Sequence, residues 1–248
     1  MKTSHASVSQ HTLLVAGETF EDMYTVLRNK EGRTYTDEQV ALLPYIKPEH
    51  PNEKEWKIRT QSSDRLVNHL QKQRKPLNIL EVGSGNGWLS AKLAKIENVK
   101  VTGLEPNNIE TEQAQRVFKK SNLRFITGNF SEQLFKDQPK FDVIIFAASL
   151  QYFPIFKEVI ENAFALLNPN GYLHILDTNF YKEDELQIAK ERCVAYFNAL
   201  GLPLMSGNYF HHLFNEIYSF KHKIMFSPHT LWNKLTHQQG FYWIILKP

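Results

Sequence analysis

Between residues 77 and 178, short apolar runs alternate with stretches whose apolar positions recur every three or four residues. The runs LNILEV (77–82), VKVTGLE (99–105), LRFIT (123–127), FDVIIFA (141–147) and YLHILD (172–177) predict five buried strands. WLSAKLAKI (88–96) reads as a helix, as does the stretch after Asn108, with Glu at its start and Lys at its end. Pro154 opens a helix running to Leu167, and NPNG (168–171) predicts a turn into the fifth strand. Upstream, FEDMYTVL suits a short helix. Asn52 with Glu55 has capping-box spacing, and Trp56, Ser63, Leu66, Val67 and Leu70 extend a helix over 53–73. Downstream, a helix over 182–200 stops near Gly201, an irregular aromatic stretch follows, Ser227-Pro228 starts another helix and FYWIIL (241–246) makes a last strand.

Five strands separated by helices define an α/β fold: a Rossmann-like, doubly wound, mostly parallel sheet with helices on both faces. The flanking stretches are expected as N-terminal and C-terminal lid segments over it. No internal repeat interrupts this order.

Composition removes several classes. The 248 residues carry 42% apolar and 22% charged side chains and a formal charge of +3, ordinary for a soluble globular chain. Basic stretches such as HLQKQRK (69–75) read as solvated helix ends, so no nucleic-acid partner is expected. The lone Cys193 excludes an intramolecular disulfide and suits a reducing compartment. LLVA near the N-terminus is too short for a signal-peptide core, and VIIFAASL (143–150) is too short for a membrane span. A cytoplasmic location without membrane insertion is the expectation.

The candidate chemistry lies in EVGSGNGWLS (81–90), where Gly83, Gly85 and Gly87 follow the first strand on alternate positions. In an open α/β sheet that loop sits at the carboxyl edge where ligands bind. Glycines there let the backbone turn tightly and approach a ligand. The dinucleotide fingerprint needs a third glycine where this chain has Trp88, which argues against NAD, and no Walker lysine follows. Glu81 places an acid at the mouth, better suited to a cationic amine than to a pyrophosphate. Glu105 ends the second strand, where a carboxylate grips vicinal ribose hydroxyls. After the third strand, Asn129 offers an amide to an adenine edge and Phe130 a ring to its face.

With its motifs in this order, the stretch from LNILEVGSGNGWLS through VTGLEPN, GNF, KFDVIIFAASLQYF and LLNPNGYLHILD resembles a class I S-adenosylmethionine-dependent methyltransferase over residues 77–178. The resemblance implies that Glu81, Gly83, Ser84, Gly85 and Gly87 line the methionine part of S-adenosyl-L-methionine. It implies Glu105 at the ribose with Pro106 and Asn107 beside it, Asn129 and Phe130 at adenine, and Ala147 and Ala148 near the sulfonium. Many relatives have Asp at the place of Asn129. Gln151 and Tyr152 stand where many carry histidines facing the methyl group, so a histidine base is not implied there. The flanking stretches LRNKEGRTYTDEQVALLP, EWKIRTQSSDRL and ALGLPLMSGNYFHHLFNEI are similar to a bacterial group of methyltransferase-domain proteins, a likeness that brings no substrate. The chain then divides into an N-terminal tail and lid (1–60), a cofactor-binding core (61–180), and C-terminal helices, lid insertion and last strands of the same domain (181–248).

The cofactor's carboxylate needs a cation. Arg59 is the candidate, although it reads equally well as a solvated helix arginine. For substrate, Tyr152, Asp177, Tyr209, His211 and His212 are the candidates, with packing as the competing role of each. No HxxxH or CxxC spacing supports a metal. A small-molecule, sugar or lipid-linked acceptor is expected between the sheet edge and a lid of residues 11–60 and 201–225. Two other functions fit this fold: a domain that keeps the cofactor without catalysis, and, disfavoured by Trp88, a nucleotide-dependent oxidoreductase.

Overall fold

The computed structural model describes residues 19–229 and 240–248. The five predicted strands are β1 (Leu77–Val82), β2 (Val99–Glu105), β3 (Leu123–Thr127), β4 (Phe141–Ala147) and β5 (Leu167–Thr178), each parallel to its neighbours in that group. The two-residue strands β6 (Phe180–Tyr181) and β7 (His212–Leu213) pair separately. β8 (Lys221–Phe226) and β9 (Tyr242–Lys247) extend the main sheet antiparallel, giving the order β3-β2-β1-β4-β5-β9-β8. The helices are α1 (Phe20–Lys30), α2 (Asp37–Leu42), α3 (Glu53–Gln71), α4 (Trp88–Leu93), α5 (Asn108–Val117), α6 (Phe156–Ala165) and α7 (Glu183–Ala199).

Strand alternation divides the apolar side chains between two cores. On β1, Leu77 and Ile79 face one core with Leu66 and Leu70 of α3 and Leu89 and Leu93 of α4. Leu80 and Val82 face the other, with Phe156, Val159 and Ile160 of α6. The same alternation puts Glu81 on the α3–α4 side at the carboxyl end of β1. That end is the switch point, because β2 pairs on one side of β1 and β4 on the other. A third cluster joins Met23 and Leu27 of α1 to Phe197 of α7 and to Met205.

Four local expectations are corrected. Asn52 makes no side-chain cap on α3. Its amide instead donates to the carbonyls of Glu31 and Gly32, and Glu55 is taken by Arg33 and Arg59. The sequence NPNG is not a turn before β5 but a bulge inside it: pairing moves from Phe141↔Leu167 to Val143↔Tyr172. Asp142 holds the bulge by accepting from Asn168 Nδ2 at 2.9 Å. β8 was expected as irregular chain; as an edge strand carrying Lys221, His222 and Lys223 it lacks apolar alternation. The helices over 53–73, 88–96 and 154–167 are each shorter, at Glu53–Gln71, Trp88–Leu93 and Phe156–Ala165. Most of the helix expected after Ser227-Pro228, and residues 11–18 of the expected lid, lie outside the described residues.

Candidate cofactor and acceptor site

The three loop glycines have different structural causes. All three adopt positive φ, +75° at Gly83, +51° at Gly85 and +80° at Gly87. A Cβ on Gly83 would stand 2.4 Å from Ser149 Cβ, and one on Gly87 2.6 Å from the Phe125 ring, so both positions are closed by the protein's own packing. Gly85 differs. Its Cβ would meet only the flexible Glu110 carboxylate, at 2.9 Å, and its open side faces a cavity.

That cavity encloses about 70 Å³ between the β1 and β4 loops and the N-terminal helices. Of the expected residues, Arg59, Glu81, Gly83, Ser84, Gly85, Ala147 and Ala148 line it. Trp88 forms part of the wall, packed edge-on against Trp56 at 5.3 Å, and does not fill the space. Tyr35 holds Trp56 by accepting from its indole N–H at 2.7 Å.

One buried carboxyl, Glu81, is on the cavity lining; a second, Glu105, lies behind the glycine loop and is not part of that lining. Glu81, 2% exposed, accepts a hydrogen bond from Ser90 of α4. Burial pushes its pKa up to about 8 against that hydrogen bond, so it is mostly protonated at neutral pH. Glu105 accepts from the Gly85 N–H at 2.9 Å and the Asn107 N–H at 3.0 Å, tying the end of β2 to the glycine loop. Its pKa is also raised, first by burial and then by the neighbouring Glu110 charge. Asn107 caps α5 by accepting from the Glu110 N–H, and its amide donates to Thr25 of α1 at 2.9 Å. Pro106 lies between the two, half-buried.

The roof comes from far away in sequence. Arg28 of α1 pairs through Nε with Glu110 Oε1 at 3.2 Å, while Glu110 Oε2 is buried without a partner above Gly85. Arg33 grips Glu55 with both terminal nitrogens, and Arg59 donates to the same carboxylate through Nε at 2.8 Å. Arg59 also sits over the Trp56 ring. Tyr24, Tyr35 and Trp56 come from the expected N-terminal lid, but the expectations missed Arg28, Arg33, Glu55 and Glu110; of these Glu110, an acid in the first turn behind an Asn cap, carried a local signal, and it reads as ordinary dipole compensation.

The other expected residues stand elsewhere. Gly87 is packed under Phe125 rather than on the cavity. Asn129 is exposed, and Phe130 packs edge-on against Phe146 at 5.7 Å and Phe153 at 6.1 Å. Gln151 donates to the Ala148 carbonyl at 2.7 Å. Asp177, with φ +52°, accepts from Ser62 of α3 at 3.0 Å; burial raises its pKa and the Arg59 charge opposes that. Tyr152 and Tyr209 belong to an aromatic cluster beside the cavity. His211 packs against Tyr181 and Tyr209, and His212 is buried with Nε2 at 3.0 Å from the Leu150 carbonyl. Burial lowers both histidines' pKa values, and neither lines the cavity. Among the described residues no cluster of His, Cys, Asp and Glu could hold a metal ion, and no helix is long and apolar enough to cross a membrane.

The chemistry of the lining suits a sulfonium nucleoside. A backbone cradle at Gly85, unpartnered buried oxygens at Ser84 and Glu110, and the Glu81 carboxyl on the lining suit a ligand with a cationic amine and hydroxyls. A switch-point cavity of this chemistry on this sheet defines a class I S-adenosylmethionine-dependent methyltransferase. Residues 73–225 match the family described as Methyltransferase domain, more than half of the chain, and the chain belongs to that family.

Relatives agree on the class and differ in what their names say they methylate. The chain is 25% identical to a malonyl-[acyl-carrier protein] O-methyltransferase of Halalkalibacterium halodurans, over 69% of this chain and 68% of that protein. It is 29% identical to a sterol 24-C-methyltransferase of Gibberella zeae over 45% of this chain, but spans only 31% of that protein's length. Among solved structures, a plantazolicin methyltransferase in complex with S-adenosylhomocysteine superposes with TM-score 0.54 at 15% identity, covering 91% of this chain and 98% of that one. A magnesium protoporphyrin IX methyltransferase of Synechocystis with the same ligand gives 0.54 at 19% identity, with the same coverages. At such identities the structures establish the fold.

Proposed function

We propose that this domain transfers a methyl group from S-adenosylmethionine to a small-molecule acceptor, of sugar or lipid-type chemistry or another metabolite class. The observation that carries the reading is the buried Glu81 carboxyl on the same cavity lining as the open face of Gly85, with Glu105 behind the loop accepting the Gly85 N–H. Burying two carboxyls is costly; Ser90 at Glu81 and two backbone N–H groups at Glu105 offset part of that cost, and a ligand can offset the rest. A cationic amine at Glu81 and a ribose diol at Glu105 do so, with Arg59 as the cation for the ligand's carboxylate. When bound, the cofactor supplies an activated methyl group whose leaving group departs neutral. The protein's part is then orientation and water exclusion. Arg28, Arg33 and Trp56 roof the cavity, and Ala147 and Ala148 bound it at the end of β4.

The free volume of about 70 Å³ is below the ~300 Å³ of a typical small-molecule site. Admitting a nucleoside therefore requires the cavity to widen. The sterol, ubiquinone and demethylmenaquinone named for relatives support a small acceptor. Calorimetric titration with S-adenosylhomocysteine and with NADH tests the reading. Binding of the first alone is expected, and preferential binding of NADH would replace methyl transfer with redox chemistry.

A further inference from the structure

Three carboxyl side chains reach the cavity lining: Glu55 from α3, Glu81 from β1 and Glu110 from α5. Glu55 is fully engaged, with Arg33 on both oxygens and Arg59 on one. Glu81 accepts from Ser90. Glu110 differs from both. Its Oε1 takes Arg28 at 3.2 Å, whereas Oε2 is buried without a partner. That free oxygen lies across the open face of Gly85, 2.9 Å from where a Cβ would stand.

The carboxylate is held there from two sides. The Glu110 N–H donates to Asn107 Oδ1 at 3.1 Å, the cap that fixes the first turn of α5, and Arg28 of α1 grips the other oxygen. The Gly85 N–H, the nearest backbone donor on the loop, is taken by Glu105. A buried carboxylate oxygen left idle gives up stabilisation that a ligand restores.

The charges of the proposed methyl donor can be matched one by one. It carries a carboxylate, an ammonium and a sulfonium. Arg59 and Glu81 are the partners proposed above for the first two, which leaves one cation on the ligand and one acid on the lining. A sulfonium has no N–H or O–H to donate, so its recognition is Coulombic, and an acid oxygen free of other bonds suits it best.

Resting on the methyltransferase reading, we propose that Glu110 is a specificity-determining residue: its free oxygen reads the positive charge on sulfur and so separates the methyl donor from the uncharged product. In the transfer, the methyl carbon bonds to the acceptor while the carbon–sulfur bond breaks and leaves its electron pair on sulfur, and the charge that Glu110 attracts is gone. The attraction favours loading of donor and departure of product. Because it fades as charge leaves sulfur, it acts on donor affinity and does not raise kcat.

Calorimetric titration of the full chain with S-adenosylmethionine and S-adenosylhomocysteine, which differ by this charge and its methyl group, tests the assignment. Glu110→Gln is expected to weaken donor binding by about tenfold and product binding by less than about twofold. Arg28→Gln breaks the same ion pair but leaves the acid, and is expected to shift the affinity ratio the other way, toward the donor. A purely structural ion pair would move both variants, and both ligands, in the same direction. A third arm needs no variant: sinefungin, with an ammonium group at the sulfonium's place, is expected to bind the wild type more tightly than S-adenosylhomocysteine. Equal weakening of donor and product by Glu110→Gln, an unchanged donor affinity, or sinefungin binding below that of the product would overturn the role of Glu110. Failure of S-adenosylmethionine and S-adenosylhomocysteine alike to bind the wild type would overturn the underlying reading instead.

Discussion

Glu81→Gln should reduce the pH dependence of S-adenosylhomocysteine binding, leaving the part that Glu105 supplies. In the free protein burial holds the Glu81 pKa at about 8. A cationic amine beside it reverses that balance, so binding at neutral pH must expel the proton. With a starting pKa of about 8, the ionised fraction is about 3% at pH 6.5 and about 24% at pH 7.5, so affinity should rise about eightfold over that unit, equivalent to about 1.2 kcal/mol. At pH 7 Glu81 should release about 0.9 protons per ligand bound. Calorimetry in two buffers of different ionisation enthalpy measures this release directly. Gln keeps an acceptor for Ser90 and cannot ionise, so the variant should release no proton from this site and lose the Glu81 share of the slope, and its affinity at pH 7.5 should fall. Equal proton release in both proteins, or a flat wild-type profile, would refute the assignment of the amine to Glu81.

Three further outcomes follow from the same structure. Because the folded-state pKa of Glu81 lies above its unfolded value, the group favours folding most below about pH 4.5, and that contribution, at most about 4–5 kcal/mol, is lost as pH rises through about 8; ligand-free Glu81→Gln should show a flatter dependence of Tm on pH than wild type. Gly87→Ala should cost about 2–4 kcal/mol in denaturant unfolding, since its Cβ meets the Phe125 ring at 2.6 Å at φ +80°, whereas Gly85→Ala should cost about 1 kcal/mol yet abolish cofactor binding, because its Cβ points into the cavity. His212→Asn should destabilise by about 1–3 kcal/mol through the Leu150 hydrogen bond and packing on Phe156, while the pH profile of turnover stays unchanged.

The five parallel strands are legible in the sequence because strands buried on both faces read as continuous apolar runs. β8 is illegible for the opposite reason: an edge strand is blunted by Lys221 and Lys223 and loses its pattern. Asn52 and NPNG carry the right local chemistry, but tertiary partners at Glu31, Gly32 and Asp142 redirect it. The site divides the same way. Glu81, Gly85 and Glu105 follow from their places at strand ends. Arg28 arrives on a helix whose ion-pair partner, Glu110, lies 82 residues further along the chain, and no local spacing announces it. His211 and His212 look chemical in sequence, yet their neighbours are aromatic rings and a backbone carbonyl.

The central claim is that the strand-end acids and Gly85 accommodate a sulfonium nucleoside in place of a diphosphate. Its most direct measurement is parallel titration of the wild-type chain and Glu105→Ala with S-adenosylhomocysteine and NADH. The structure predicts that the wild type binds S-adenosylhomocysteine and not NADH, and that Glu105→Ala weakens the first by at least about tenfold through the lost charge-assisted ribose bonds. Binding of NADH by the wild type, or unchanged S-adenosylhomocysteine affinity in Glu105→Ala, would contradict it.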